Sequence, residues 1–153
     1  MGLTNLESAA EFIAVNRRNY QQYKNELGGI DGLRFLAYDE TERCNYQYVV
    51  LQIDADVTGV SRDQVMQVLH GENILARRYF YPGCHRMEPY KSLFPHAGLL
   101  LPETEKLTRQ VLCLPTGTAV GEAEVKAICE IIELVISNPS EVNNRLQAAA
   151  SHS

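Results

Sequence analysis

The chain has 153 residues, of which 45% are hydrophobic and 22% are charged, and its formal net charge at pH 7 is −5. These values are typical of a single globular domain, and they exclude the basic surface that nucleic acids and anionic membranes require. No apolar run approaches the ~18 residues that span a bilayer, and the first residues lack a signal-peptide pattern. We therefore predict one cytoplasmic domain over residues 1–153, with no nucleic-acid or membrane partner.

The first third of the chain predicts a long helix followed by two strands. Apolar residues recur at three- and four-residue steps over residues 4–27, which indicates an amphipathic helix. Gly28 and Gly29 are expected to end this helix in left-handed backbone. Residues 32–36 predict a short strand. Residues 46–53 carry β-branched and aromatic side chains on both faces, which predicts a strand in the interior of a sheet.

A capped helix and an aromatic strand are predicted next. Ser61 and Gln64 have the spacing of a capping box, which predicts a helix over residues 61–70. Residues 74–81 predict another strand, ended by a Pro-Gly pair that favours a turn. Each face of this strand combines apolar side chains with one arginine, so the pattern is not that of a simple core or surface strand.

The last part of the chain predicts a long loop, a strand and two helices. Residues 82–102 are irregular, and loops of this length in compact domains are typically functional. A short helical piece at 104–108, a strand at 111–114 and a helix at 122–137 follow. A short terminal helix is predicted over residues 139–153, with a frayed end.

The order of the predicted elements is typical of an α/β protein of the α+β type. Helix, strand, strand, helix, strand, loop, strand, helix and helix follow one another, which predicts a small, mostly antiparallel sheet packed by helices. Asn138 is the expected cap of the terminal helix. The four cysteines show neither C-x-x-C nor metal-ligand spacing, so we predict free thiols and no metal site.

Side chains with recognition chemistry gather where the predicted strand at 74–81 ends. They are two arginines, two tyrosines and a histidine: Arg77, Arg78, Tyr79, Tyr81 and His85. Arginine offers a planar fork to phosphate, and tyrosine offers a flat face with a polar tip, so the cluster suits an anionic, hydroxyl-rich ligand. Other interpretations stay open. Tyr79 and Tyr81 are also typical of half-buried aromatic residues in a strand. Either arginine is also typical of a surface ion pair, and His85 is also typical of a hydrogen-bonded histidine in a loop.

The same stretch resembles a known family. Residues 77–85 read Arg-Arg-Tyr-Phe-Tyr-Pro-Gly-Cys-His, which is similar to the Arg-x-Tyr-x-x-Pro-x-x-His segment in the C-terminal part of the DegT/DnrJ/EryC1/StrS sugar aminotransferases. Residues 101–105, 111–115 and 124–128 resemble the next three landmarks of that family, in the right order. The resemblance covers roughly residues 12–136.

This resemblance implies the small C-terminal domain of a fold-type-I enzyme that uses pyridoxal phosphate. The intact enzymes of the family transaminate a keto-sugar nucleotide, and a homodimer is a possible assembly. In the family, the segment after the middle strand of the small domain approaches the sugar nucleotide. By position, the substrate-binding residues implied here are Arg78, Tyr79, Tyr81 and His85, with Arg77 and Tyr90 beside them.

Catalysis in the family depends on a lysine that the large domain carries, because transamination requires an amine that forms a Schiff base with the cofactor. The lysines of this chain do not match the family's lysine motif; they are Lys24, Lys91, Lys106 and Lys126. We therefore predict no catalytic residue, no bound pyridoxal phosphate and no activity for this chain alone. The alternative is a standalone module that binds a sugar nucleotide or self-associates through residues 4–27 and 46–53.

Overall fold

Three short strands and eight α-helices build the part of the chain that the computed structural model describes, residues 8–151. The helices are α1 (Ala9–Leu27), α2 (Ala55–Thr58), α3 (Arg62–Gly71), α4 (Tyr90–Leu93), α5 (Ala97–Leu100), α6 (Pro102–Gln110), α7 (Glu122–Ser137) and α8 (Pro139–Ala150). The strands are β1 (Leu33–Phe35), β2 (Val49–Ile53) and β3 (Val111–Leu114). The predicted start of the first helix, residues 4–7, and the last residues of the predicted frayed end, 152–153, lie outside the described residues.

The sheet has the strand order β1-β2-β3, and both pairings are antiparallel. Alternate residues of the central strand, Val49, Leu51 and Ile53, are buried. Leu51 pairs with Phe35 on one side and with Leu112 on the other, so apolar side chains of all three strands share one face. The α+β class and the interior position of β2 are thereby confirmed.

The apolar face of the sheet and the long helices form one hydrophobic core. α1 packs along α7 and contributes Tyr20 and Tyr23, while α7 contributes Ile132. The polar tips of the two tyrosines are satisfied, because Tyr20 Oη donates to Leu36 O and Tyr23 Oη donates to Pro115 O, each at 3.1 Å. Burial raises the pKa of Tyr23 above its ordinary range. No helix within residues 8–151 is long and apolar enough to cross a membrane.

The predicted strand over residues 74–81 is wrong. Only Arg77 makes a sheet contact, in which its backbone N–H and C=O both bond to Cys113 of β3. The chain turns immediately afterwards, because Tyr81 N donates to Arg78 O at 3.3 Å. That turn uses backbone groups that a continued ladder would need, so the aromatic residues leave the sheet. The predicted alternation of faces is therefore absent from this segment.

Predictions for the helix ends are partly confirmed. Ser61 and Gln64 form the capping box at the start of α3, and α7 begins and ends at the predicted residues. The prediction that α1 ends in left-handed backbone at Gly28 is wrong, because the φ of Gly28 is −69°. Asn138 occupies the predicted N-cap position of α8, but its side chain makes no capping hydrogen bond. Its Nδ2 instead donates to Leu134 O at 2.9 Å, near the end of α7.

The segment predicted to be irregular, residues 82–102, contains only short structure. A 3₁₀ turn at Cys84–Arg86 is followed by the single-turn helices α4 and α5. α6 is longer than the predicted piece at 104–108, because Pro102 occupies its first turn, where the missing N–H costs nothing. This segment and α6 together surround the candidate site.

A buried arginine joins α3 to the junction of α6 and β3. Arg62 is 1% exposed. Its Nη1 donates to Val111 O at 2.7 Å, and its Nη2 donates to Thr108 O at 3.0 Å, a carbonyl that the end of α6 leaves without an intrahelical partner. Its Nε lies 2.8 Å from Asp63 Oδ1 in a close ion pair that is not aligned as a hydrogen bond. Burial lowers the pKa of Arg62, and the Asp63 charge opposes that shift.

We expect Arg62→Met to lower the free energy of unfolding by roughly 2 to 4 kcal/mol, because two partly buried carbonyls would lose their donor. Equilibrium urea denaturation followed by circular dichroism measures this change. Arg145→Met is the matched control, since Arg145 forms an exposed pair with Glu141 one helical turn away, and such pairs contribute little. Equal losses in the two variants would contradict the role given to Arg62.

Candidate functional site

A largely apolar cavity of about 700 Å³ lies between the segment 79–101 and helix α6. Three of the predicted site residues line it: Tyr79, His85 and Tyr90. Most of the remaining wall is apolar and includes Phe94. The volume falls within the roughly 300–1,000 Å³ typical of small-molecule pockets. The cavity can therefore hold a ring-sized group against aromatic side chains.

Two further predicted residues, Arg78 and Tyr81, form a stack with the buried Arg62. The Tyr81 ring centroid lies 4.6 Å from Arg78 Cζ and 5.5 Å from Arg62 Cζ, both within the range of cation–π contacts. Arg78 Nη1 also lies 3.6 Å from Asp63 Oδ1, so the ion pair considered for Arg78 exists. The guanidinium of Arg78 is thereby held on an aromatic face while 39% of its side chain stays exposed.

Tyr79 is held in place by its side chain, whereas Arg77 is held by its backbone. Tyr79 Oη lies 3.2 Å from Tyr48 Oη, and the two ring centroids are 4.9 Å apart. This hydrogen bond raises the pKa of Tyr48. Arg77 is fixed through its backbone bridge to β3, and its side chain is exposed. Five of the six predicted residues thus lie in two groups, three in the cavity wall and two in the stack, and Arg77 lies just before both groups along the chain.

His85 is held by a carboxylate that was not among the predicted site residues. His85 Nε2 lies 2.6 Å from Glu105 Oε1, and the two side chains are 8% and 13% exposed. The same carboxylate binds Arg86 Nε, and Arg109 Nη2 lies 3.4 Å from its second oxygen. Hydrogen bonds from Arg86 first, and then from His85, lower the pKa of Glu105 to about 2. The hydrogen-bonded interpretation considered for His85 is therefore correct.

Gly83 is required beside this histidine. Its φ is +95°, which a residue with a side chain adopts only under strain. A Cβ at this position would lie 2.8 Å from His85 Cε1 and 3.2 Å from Thr108 Cγ2. The glycine of the Pro-Gly pair therefore makes room for the imidazole ring against α6.

Sequence reasoning missed the residues that hold the site together. Arg62 is buried and Glu105 is half-buried, and each contacts segments at least 19 residues away along the chain. Glu105 lies in one of the landmarks that carried the family resemblance, which was a usable signal for it. Arg62 directly follows the capping Ser61, a position that usually faces solvent, so the sequence offered no sign of its burial.

Comparison with known proteins identifies the family to which this chain belongs. The sequence profile of the DegT/DnrJ/EryC1/StrS aminotransferase family matches residues 1–133, which is most of the chain. The chain belongs to this family. The predicted resemblance is confirmed, as is the prediction that the chain matches only part of a sugar aminotransferase.

Two curated relatives carry the same name. The chain is 32% identical to the dTDP-4-amino-4,6-dideoxy-D-glucose transaminase of Escherichia coli over 131 residues, which are 86% of this chain and 35% of the relative. It is 26% identical to the transaminase of that name from Shigella dysenteriae, over 92% of this chain and 36% of the relative. The chain thus spans about a third of the length of these relatives.

Solved aminotransferases share the fold. The structure of DesI in the presence of its TDP-sugar product matches with a TM-score of 0.86 and 41% identity, over 96% of this chain and 37% of DesI. PseC of Helicobacter pylori, an aminotransferase involved in pseudoaminic acid biosynthesis, matches with a TM-score of 0.77 over 90% of this chain and 36% of PseC. At 16% identity the PseC match shows the fold alone.

The lysines of this chain do not fit pyridoxal phosphate, the cofactor of the family. Lys24 and Lys126 lie on exposed helix faces, and Lys126 Nζ is 3.9 Å from Glu130 Oε1. Lys91 and Lys106 are exposed beside a second, open cavity of about 1,080 Å³. A Schiff-base lysine needs a desolvated pocket that favours its neutral amine. None of the four described lysines has such surroundings.

The carboxylate that holds His85 should make stability depend on pH. The pKa of Glu105 is depressed to about 2 from an ordinary 4.5, so its contribution is complete above pH 4.5 and is lost as pH falls towards 2. We expect Glu105→Gln to be less stable than the wild type at neutral pH, with the gap closing between pH 4.5 and 2. Urea denaturation at a series of pH values measures the gap.

The matched control for this experiment is Glu130→Gln, because Glu130 forms only an exposed pair with Lys126. Its stability should follow that of the wild type across the same pH range. A gap between wild type and Glu105→Gln that stays constant from neutral pH to pH 2 would contradict the ionised, hydrogen-bonded state of Glu105.

Proposed function

We propose that residues 1–153 form the small domain of a pyridoxal-phosphate-dependent, cytoplasmic sugar-nucleotide aminotransferase, and that this domain supplies part of the substrate site. The intact enzyme would transfer an amino group to a keto-sugar nucleotide. The observation that carries the proposal is the 41% identity with DesI over 96% of this chain, since that structure was determined with a TDP-sugar product. The residues assigned to the substrate are Arg77, Arg78, Tyr79, Tyr81, His85 and Tyr90.

The geometry supports a ligand that combines flat rings, hydroxyl groups and phosphates. Tyr79 and Tyr90 offer aromatic faces and polar tips in the cavity wall. Arg78 presents a guanidinium already oriented on the Tyr81 ring, and the exposed side chain of Arg77 adds a second positive charge for phosphate oxygens. Holding a sugar nucleotide in one orientation is the contribution to catalysis that such residues make.

The proposal divides the work between this chain and another part of the enzyme. Pyridoxal phosphate, where bound, supplies the electron sink of transamination. The exposed lysines described above support a cofactor lysine that lies outside these 153 residues. This chain alone would therefore orient substrate without catalysing the reaction.

We expect the purified chain to form no adduct at a single lysine when it is mixed with pyridoxal phosphate and reduced with borohydride. Peptide mass spectrometry detects such an adduct, and an assay with a keto-sugar nucleotide detects amino transfer. The Escherichia coli transaminase, treated in the same way, serves as the positive control. A reducible adduct at one specific lysine of this chain, together with amino transfer, would contradict the proposal.

A second candidate function, a module that binds sugar nucleotides or self-associates, is favoured by exposed apolar side chains. They are concentrated in the segment 80–101 and include Phe80, Leu93, Phe94, Leu99 and Leu100, of which the last two are 82% and 80% exposed. The surfaces considered from the sequence carry fewer: the large exposed hydrophobics in the described parts of α1 and residues 46–53 are Phe12 and Tyr48. Self-association would therefore use the segment 80–101, where a second copy could cover these side chains.

This alternative predicts a dimer that depends on the exposed leucines. We expect static light scattering to report a dimer for the wild type and a monomer for the double variant Leu99→Asp/Leu100→Asp, because charges would oppose burial of that face. Leu134→Asp is the control, since Leu134 is 65% exposed on α7. A strictly monomeric wild type, with no heat on titration with dTDP-glucose, would remove the alternative.

A further inference from the structure

The imidazole of His85 has two nitrogens in different surroundings. Nε2 is hydrogen-bonded to Glu105 at 2.6 Å. Nδ1 has no hydrogen-bond partner among the described residues, and it is not one of the fully buried polar atoms that lack a partner. The ring lines the apolar cavity. One nitrogen is therefore fixed by the protein, while the other is not fully buried and has no hydrogen-bond partner within residues 8–151.

We propose that Glu105 is a positioning residue that keeps the proton of His85 on Nε2, so that Nδ1 accepts a hydrogen bond from a hydroxyl group of the bound sugar. The inference rests on the proposed function and deepens it, because it names the chemical group that this side chain recognises. A carboxylate accepts hydrogen bonds and does not donate them when ionised, so the nitrogen that faces it must carry the proton.

The carboxylate of Glu105 is shared by three side chains. Arg86 Nε and Arg109 Nη2 pair with its two oxygens, and His85 Nε2 is hydrogen-bonded to one of them. In the neutral form with Nε2 protonated, Nδ1 carries a lone pair and can only accept. Such an atom suits a hydroxyl donor and does not suit a phosphate oxygen.

The backbone beside the ring keeps this acceptor uncovered. A Cβ on Gly83 would lie 3.0 Å from Nδ1 and would close that edge of the imidazole. The same Cβ would also lie 3.2 Å from Thr108 Cγ2, on α6. The ring is therefore held between Glu105 and Gly83 with no donor for Nδ1 in the described part of the chain, and the hydroxyl of a ligand would complete its hydrogen bonding.

Nitrogen NMR of the free chain tests the tautomer directly. We expect long-range proton–nitrogen correlation spectra of histidine-labelled protein at neutral pH to show an unprotonated Nδ1 and a protonated Nε2 for His85. Glu105→Gln should shift both resonances towards a mixture of tautomers, because an amide can present either an oxygen or an N–H. His85→Gln assigns the signals. Glu103→Gln is the control, since Glu103 is an exposed carboxylate on the same helix.

Because these spectra need no ligand, they decide the role of Glu105 separately from the proposed function. Backbone amide spectra confirm that each variant is folded, and Glu105→Ala provides a second variant for the same measurement. A wild-type His85 that is protonated on Nδ1 would overturn the inference. So would a tautomer ratio that neither Glu105→Gln nor Glu105→Ala changes.

Binding measurements test the hydroxyl acceptor. We expect His85→Phe to weaken binding of dTDP-glucose by about threefold to tenfold, the range for one hydrogen bond, and to leave binding of dTDP unchanged. Equal weakening for both ligands would overturn the hydroxyl assignment. If neither ligand binds the wild-type chain, the proposed binding role is contradicted for this chain, whereas the tautomer spectra still decide whether Glu105 sets the state of His85.

Discussion

The candidate site depends on one buried positive charge. Arg62 is removed from water almost completely, and a charge in that position is tolerated only where hydrogen bonds and an opposite charge compensate it. Its partners come from separate segments: the carbonyls of Thr108 and Val111, and the ring of Tyr81. Arg62 of α3 therefore links the end of α6, the start of β3 and the aromatic segment, in addition to the backbone bridge between Arg77 and Cys113.

The contacts of Arg62 explain why the cavity wall and the stack of Arg78 on Tyr81 both have defined positions, although their segment has little regular structure. α6, which Arg62 holds at its C-terminal end, carries Glu105, and Glu105 holds His85. Arg62 also contacts Tyr81, on which Arg78 lies. Side-chain contacts thus replace the backbone ladder that the segment lacks. Functional residues on loops need such support, since a rigid scaffold must position them.

The sequence predicted the parts of the fold in which local signals and tertiary packing agree. The capping box at Ser61 and the apolar stripe of α7 act within one or two turns, so their consequences can be read from neighbouring residues. The strand at 74–81 failed because its aromatic composition suits a strand, whereas the single bridge from Arg77 to Cys113 and the turn that follows are decided by distant partners. Composition also located the arginine and tyrosine cluster, but not Arg62 and Glu105, which orient it.

The difference between local signals and distant contacts also explains why the sequence identified His85 but not whether it donates or accepts a hydrogen bond. A histidine after a Pro-Gly pair indicates a candidate contact, yet whether it donates or accepts depends on the partner of its other nitrogen. That partner, Glu105, lies 20 residues later, and its charge is already shared with Arg86 and Arg109. Specific recognition at such a position arises from the whole group of four side chains. For this reason a substitution at Glu105 should alter what His85 can recognise while the cavity wall itself stays in place.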